Sequence, residues 1–392
     1  MRSVAALVLA SAIASRAFAQ APSFDTLTRE LWPLSRSQGV TRATFDLAFR
    51  DLTPDPRVIA VTRREPEYGK PVGEYIAGMA SRTRIENGRR NLSRWADTLG
   101  RIELSYGVEG AIVVSLWGVE SSFGQARARW DVVRSLATLV SADYRAPFFR
   151  QELIVALRIL QDGHVARDEM LGSWAGAMGQ PQFMPSSFYE YAVDFSGDGR
   201  RDIWNTTPDV LASIANYMRK SGWTPGLPWG FEVVLPNGFD LMQSRGMLSD
   251  WSARGVRRAD GKALSGNSTA ILLQPSGAAG PAFLVTENFN ALKRYNNSDV
   301  YALAVGHLAD RMSGGAPLRG AWPSDDRQLS RAQRIALQRR LAELGYDVRD
   351  FQGRLDFDQR DAIRREQRKL GMTPDGHPTA ALLERIGADT AN

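Results

Sequence analysis

Apolar residues along this chain recur mostly every three or four positions, the spacing of one face of a helix. Ile112, Val113, Leu116 and Val119 define a strongly apolar helix, with Gly124 placed to stop it. Leu153, Leu157 and Leu160 repeat at the same interval. So do Leu211, Ile214 and Met218, entered through Thr207-Pro208-Asp209, a favourable helix start. Tyr301 to Met312 reads as another helix. From about Gly226 to Gly280 the text is richer in Gly, Pro and Asn, and the short apolar pieces Phe231 to Leu235 and Ala270 to Leu273, with Phe283 to Val285 just beyond, suit strands. The pattern predicts a mainly α chain of the α+β class.

Residues 313–326 lack periodicity and open Ser-Gly-Gly-Ala-Pro, which predicts a linker. Beyond it, Ser330 is placed to cap a helix carrying Leu337, Leu341 and Leu344 and ended by Gly345. Ile363 and Leu370 mark a second helix ended by Gly371, and Leu382, Leu383 and Ile386 a third. Residues 327–388 thus form a three-helix module near the lower size limit for independent folding.

At the other end, Arg2, the apolar run Val4 to Ala14 and Ala17-Phe18-Ala19 match an export signal. Cleavage is expected after Ala19, although Arg16 lies unusually close. The run is too short to span a bilayer and no later stretch is long enough, so no membrane span is expected. The chain has no cysteine, hence no disulfide and no lipid-bearing cysteine after the signal. A periplasmic, soluble protein that is not a lipoprotein is expected, and a monomer.

Composition adds two hints. Ten tryptophans exceed ordinary packing needs, and aromatic faces stack on sugar rings, with core and surface duties as the alternative. A formal charge of +6 suits an anionic partner such as cell wall, membrane surface or nucleic acid, or else a solvated basic surface. No nucleic-acid recognition motif is present, which sets that partner aside.

Three scattered histidines, His164, His307 and His377, argue against a zinc site. No G-x-S-x-G elbow, P-loop or dinucleotide fingerprint occurs. Carboxylate chemistry remains. Glu120 follows Val113 and Leu116 at i+7 and i+4, on an apolar helix face near its C-terminal end. Lost solvation and the negative end of the helix dipole both raise the pKa of a carboxyl there. A glutamic acid still protonated near neutral pH suits donation to a glycosidic oxygen; a capping or salt-bridged glutamate is the plain alternative.

Glu120 stands in Trp117-Gly-Val-Glu-Ser-Ser-Phe-Gly124, followed downstream by Gly172-Ser-Trp-Ala-Gly-Ala-Met-Gly-Gln-Pro-Gln-Phe-Met-Pro-Ser-Ser187. In the second segment Ser173, Gln180 and Gln182 offer hydrogen-bond groups for sugar hydroxyls and acetamido groups. Together the two segments resemble the catalytic domain of the membrane-bound lytic murein transglycosylase B family, over about Ser23 to Met312. The resemblance implies a lysozyme-like fold with Glu120 as catalytic residue and Ser173 and Gln182 as substrate contacts. It further implies cleft positions for Tyr217, Tyr295, Asn296 and Tyr301, and more loosely for Tyr75. The segment 327–388 resembles the peptidoglycan-binding type 1 domain through Leu337-Gln338, Leu341, Gly345-Tyr346, Ala362-Ile363, Gln367, Gly371-Met372 and Asp375-Gly376. It departs at Gln352-Gly353 and Glu366-Gln367, and its arginines also fit a solvated face.

Asp194, Ser196, Asp198, Arg200 (through its carbonyl) and Asp202 take positions one, three, five, seven and nine of a calcium loop, with Gly199 at the sharp turn. Asn205 stands at the closing position, and Asp209 arrives one residue later than the family's lengthened loop requires. An Asx-rich turn without an ion is the alternative. No cofactor is required for the chemistry. The resemblance implies non-hydrolytic cleavage of peptidoglycan glycan strands between N-acetylmuramic acid and N-acetylglucosamine, leaving 1,6-anhydro ends. A hydrolytic muramidase and a non-catalytic wall-binding protein stay open, since a hydrolase needs a partner carboxylate and Glu109 and Asp131 read as structural.

Overall fold

The computed structural model describes residues 24–62, 70–126 and 129–387; the expected export signal lies outside them. Among the described residues the chain forms seventeen helices and seven strands. No single helix is long and apolar enough to cross a membrane.

Two helical cores meet side by side. One gathers Leu27, Leu31, Phe45, Leu136, Leu139, Leu153 and Leu157 from helices between Asp25 and Gln161. The other surrounds the helix Gly110–Ser121, whose residues Ile112 to Gly118 are all buried. That helix is apolar on every side because other elements cover it on every side. Its one buried hydroxyl in this stretch, Ser115, is satisfied by donating to Val305 O at 2.7 Å. Tyr217 and Tyr295 pack against both cores and so mark the seam between them.

The helix ends earlier than the glycine predicts. Ser122 and Phe123 already adopt left-handed backbone at φ 51° and 61°, before Gly124 at φ 76°. Phe123 folds back edge-on to Trp117, with ring centroids 5.7 Å apart, and Ser121 Oγ accepts the Gly124 amide. Side-chain packing holds a conformation that L residues rarely adopt.

The predicted strand pieces become Gly230–Val234, Thr269–Leu273 and Ala282–Val285. Two short strands, Arg245–Met247 and Arg257–Arg258, complete an antiparallel five-stranded sheet at its edges. Alternation sorts its residues: Leu273, Phe283 and Val285 face the main core, while Ala270, Leu272 and Leu284 cover a smaller one around Trp251. With both faces covered, the strand Ala282–Val285 is buried throughout.

The C-terminal helices are Arg331–Glu343, Phe357–Lys369 and Ala380–Arg385, and Ser330 forms a capping box with Gln333. They enclose their own core of Leu337, Leu341, Ile363, Leu382 and Leu383. Residues 313–326 are held rather than free. Arg319 and Gly320 donate backbone N–H groups to Glu232, Trp322 stacks on Phe283, and Asp326 is buried against Ser276 and His377.

Candidate active site

Glu120 is the penultimate residue of the helix Gly110–Ser121 and lies half-buried at the seam. Burial raises its carboxyl to about 7, against a smaller opposing effect of the hydrogen bond that the Tyr301 hydroxyl donates to Oε1. Tyr301 is buried and near the start of the helix Asp299–Met312, where the Ser298 hydroxyl accepts its amide at 3.3 Å. Burial and then the neighbouring Glu120 push the Tyr301 phenol well above its ordinary range, so it remains a donor. One carboxyl oxygen is thereby anchored and the other is left to carry the proton.

Around this pair stands an aromatic wall. Tyr75, Tyr217 and Tyr295 all feel the Glu120 charge, and burial raises each phenol. The Tyr217 and Tyr295 rings lie 4.6 Å apart, with Phe183 within 6.0 Å of both. Their hydroxyls are committed to backbone: Tyr217 donates to Arg294 O at 2.6 Å and Tyr295 to Pro181 O at 2.7 Å. These tyrosines therefore offer faces rather than hydroxyl donors. Asn296 is exposed at the end of the helix Glu287–Tyr295.

The segment after Gly172 is a tight loop. The Ser173 hydroxyl oxygen accepts the amides of Ala175 and Ala177 at 3.3 and 3.0 Å, which shapes the turn and leaves its proton to donate. Gln182 has left-handed backbone at φ 55° and its side-chain amide donates to Gly179 O. Gln180 is already bonded within the protein at both ends of its side-chain amide. Its Oε1 accepts Trp117 Nε1 at 2.7 Å and its Nε2 donates to Trp204 O at 2.7 Å, so it braces the loop against the helix of Glu120. Trp117, which the sequence did not single out, is the other half of that brace.

Two further acids are spoken for. Glu109 accepts Trp223 Nε1 and the Gly226 amide, and Asp131 caps the helix Val132–Ser141 while pairing with Arg167 at 2.8 Å. A cavity of about 710 Å³ lies elsewhere, around Phe24, Phe45 and Phe49, and includes none of the site residues.

In the acidic loop, Asp194, Asp198 and Asp209 bring carboxylate oxygens within 4.8 Å of one another. Asp202 is not among them, contrary to the spacing. Its oxygens accept the Trp204 and Asn205 amides and the Thr206 hydroxyl, which uses it up as a turn cap. Arg200 donates its amide to Asp198, and Ser196 its hydroxyl to Asp194. Asp209 is fully buried, and burial raises its pKa although the Ser196, Asp202 and Phe195 amides donate to it. A buried carboxylate converging with two exposed ones is an all-oxygen donor set of the kind hard divalent cations take.

A family model described as a transglycosylase SLT domain matches residues 23–310, and one described as a peptidoglycan binding domain matches residues 330–386. The chain is 35% identical over 237 residues to membrane-bound lytic murein transglycosylase B of Escherichia coli strain K12. That match covers 58% of this chain and 64% of the relative, a little under two thirds of the relative's length. SltB3 from Pseudomonas aeruginosa, in complex with NAG-anhNAM-pentapeptide, is similar at a TM-score of 0.84 and 45% identity, covering 93% of this chain and 99% of that one. Escherichia coli lytic transglycosylase Slt35 in complex with calcium is similar at 0.61 and 26% identity, covering 73% and 92%.

Proposed function

Because the chain belongs to the lytic murein transglycosylase B family and carries a C-terminal peptidoglycan-binding domain, we propose that it is a lytic transglycosylase acting on peptidoglycan. The observation that carries the reading is Glu120: a half-buried carboxyl with a proton affinity near 7, anchored by Tyr301, while Glu109 and Asp131 are engaged elsewhere. One group that gives and then takes a proton suits an intramolecular displacement better than hydrolysis, which needs a second carboxylate.

Glu120 protonates the oxygen joining N-acetylmuramic acid to N-acetylglucosamine, and the bond to the anomeric carbon breaks. The resulting carboxylate, favoured by the Tyr301 hydrogen bond, then takes the proton from the muramic acid's primary hydroxyl. That oxygen closes on the anomeric carbon and leaves a 1,6-anhydro end without consuming water. The acetamido group supplies the stabilisation that a second carboxylate would otherwise give. An anhydro-sugar ligand in the SltB3 complex fits this product type. Ser173 and Gln182 contact the glycan, Asn296 flanks it, and the rings of Tyr75, Tyr217 and Tyr295 wall its path.

The Asp194–Asp198–Asp209 cluster holds a structural calcium ion in this reading, supported by its donor set and by the calcium complex of Slt35. The ion takes no part in the chemistry. An export signal at residues 1–19 and a peptidoglycan substrate fit a periplasmic enzyme, and residues 327–388 add hold on the wall.

Murein sacculi incubated with the purified protein should release muropeptides whose masses are those of anhydro ends. Reducing ends would instead make it a muramidase. Absence of turnover, with wall binding unaffected by Glu120→Gln, would make it a binding protein.

A further inference from the structure

The helix that presents Tyr301 starts in a buried ion cluster built from both domains. Asp299, 8% exposed, lies with Oδ1 at 2.7 Å from Lys293 Nζ. Its Oδ2 accepts Arg360 Nη2 at 2.7 Å and Nε at 3.0 Å, a two-pronged contact. Lys293 comes from the helix Glu287–Tyr295, whereas Arg360 comes from Phe357–Lys369 of the C-terminal module. Arg360 is itself 9% exposed and also donates to Gly376 O within the module. Phe357, one turn earlier, lies 5.0 Å from Lys293 Nζ and 6.3 Å from the Phe289 ring. The module therefore seals the junction between two helices, and that junction carries Tyr295 on one side and Tyr301 on the other.

We infer that Arg360 of the C-terminal module is a positioning residue for the catalytic acid: by clamping Asp299 it fixes the first turn of the helix that aims Tyr301 at Glu120. The inference rests on Glu120 being the acid, as proposed above. Other docking contacts bear on different elements. Arg364 donates to Leu272 O in the sheet, Arg245 pairs with Asp358 and Asp361, and His377 meets Asp326. The rigid guanidinium sets two donors on the one oxygen Oδ2, whereas an ammonium is a single point charge, so lysine restores charge without full geometry. The groups that feel Glu120 are Tyr75, Tyr217, Tyr295 and Tyr301, with Arg84 acting on Tyr75 and Arg294 on Tyr217. These phenols stay neutral where Glu120 titrates, so a changed titration reports the Tyr301 contact or the burial around it.

The test compares Arg360→Gln, Arg360→Lys, Arg245→Ala and Tyr301→Phe with wild type. The pH profile of kcat is measured on uncrosslinked glycan strands. Glu120 is titrated by carbon-13 NMR of its carboxyl, assigned with Glu120→Gln. Arg360→Gln should lower kcat about tenfold with KM within about twofold, part of the roughly 10²–10⁴-fold that a positioned acid contributes. It should also displace the Glu120 titration in the same direction as Tyr301→Phe. Arg360→Lys should fall between, and Arg245→Ala should match wild type. Coincidence of Arg360→Gln with wild type in both readings overturns the inference, as does displacement opposite to Tyr301→Phe. If Arg360→Gln does not fold, Arg360→Lys decides by the same criteria. If wild type releases no product, the proposed function fails, and the NMR titration still decides whether Arg360 sets the state of Glu120.

Discussion

Two influences act on the Glu120 carboxyl in opposite directions: burial raises its proton affinity and the Tyr301 hydrogen bond lowers it, with burial the larger. At about 7, against an ordinary 4.5, the acid form persists into the neutral range and is lost above it. The folded state thus binds this proton more tightly than the unfolded chain does, and leaving the group ionised in the fold costs stability. That cost is absent below about pH 4.5 and complete above about pH 7. Glu120→Gln should therefore unfold like wild type near pH 4.5 but be more stable at pH 8, by up to about 3 kcal/mol, a common trade between stability and function. Urea titrations at the two pH values check this, and a pH-independent gain would contradict it. The covered position of this carboxyl was legible because its spacing from Val113 and Leu116 puts it on an apolar helix face. Its partner was not legible from spacing: Tyr301 is 181 residues away, and only the family resemblance brought it into the cleft. The bonds of Gln180 to Trp117 and Trp204 were hidden for a related reason, since a polar side chain in a small-residue loop looks the same whether or not it is already bonded within the protein.

Elements position these side chains through a few close approaches. A Cβ built on Gly172 would lie 2.0 Å from Ala177 O, the same oxygen that accepts the Ser173 amide at 2.7 Å. Backbone rather than a flexible side chain is in the way, so Gly172→Ala must open the turn. It should cost about 3 kcal/mol in unfolding free energy, at the upper end for overpacking, and displace Ser173; chemical denaturation measures the cost. The acidic loop lends itself to a gentler change. Asp209 accepts three backbone amides and cannot be altered without wider damage, but exposed Asp198 accepts the Arg200 amide alone among the bonds described. Calcium should raise the melting temperature of wild type, by a few degrees if the ion adds 1–2 kcal/mol to a chain of this size. Asp198→Asn should abolish the rise and leave the calcium-free value nearly unchanged. An equal rise in both proteins would remove the ion from this loop. At this scale periodicity revealed the helices around Leu116, Leu157, Ile214 and Leu308, those of the C-terminal module, and the central strands. It missed the short edge strands and the left-handed Ser122–Phe123 end, because tertiary contacts rather than local preference create them.

The whole molecule is less divisible than its domain pattern suggests. A Gly/Pro-rich stretch before a helical module reads as a tether between independent units. Instead residues 319–326 are held against the sheet and the loop beside it, and the module meets the larger domain partly through almost wholly buried charged side chains such as Arg360 and Arg364. Arg364 is 1% exposed, with Nη2 on Leu272 O and Nη1 on Asp361. Phe357 belongs to the main core rather than to the module's own. Separating the two units would strand the Asp299 carboxylate beside Lys293 alone and expose that aromatic contact, while the module's remaining core is near the lower limit for a stable fold. Neither part gains by melting first. Calorimetry of the full chain should therefore show one transition, with calorimetric and van't Hoff enthalpies in agreement. A separate low-temperature transition of the size of the module would mean that its docking contributes little. It would also remove the mechanical route by which Arg360 reaches the active site, since a module that melts alone cannot hold Asp299 in place.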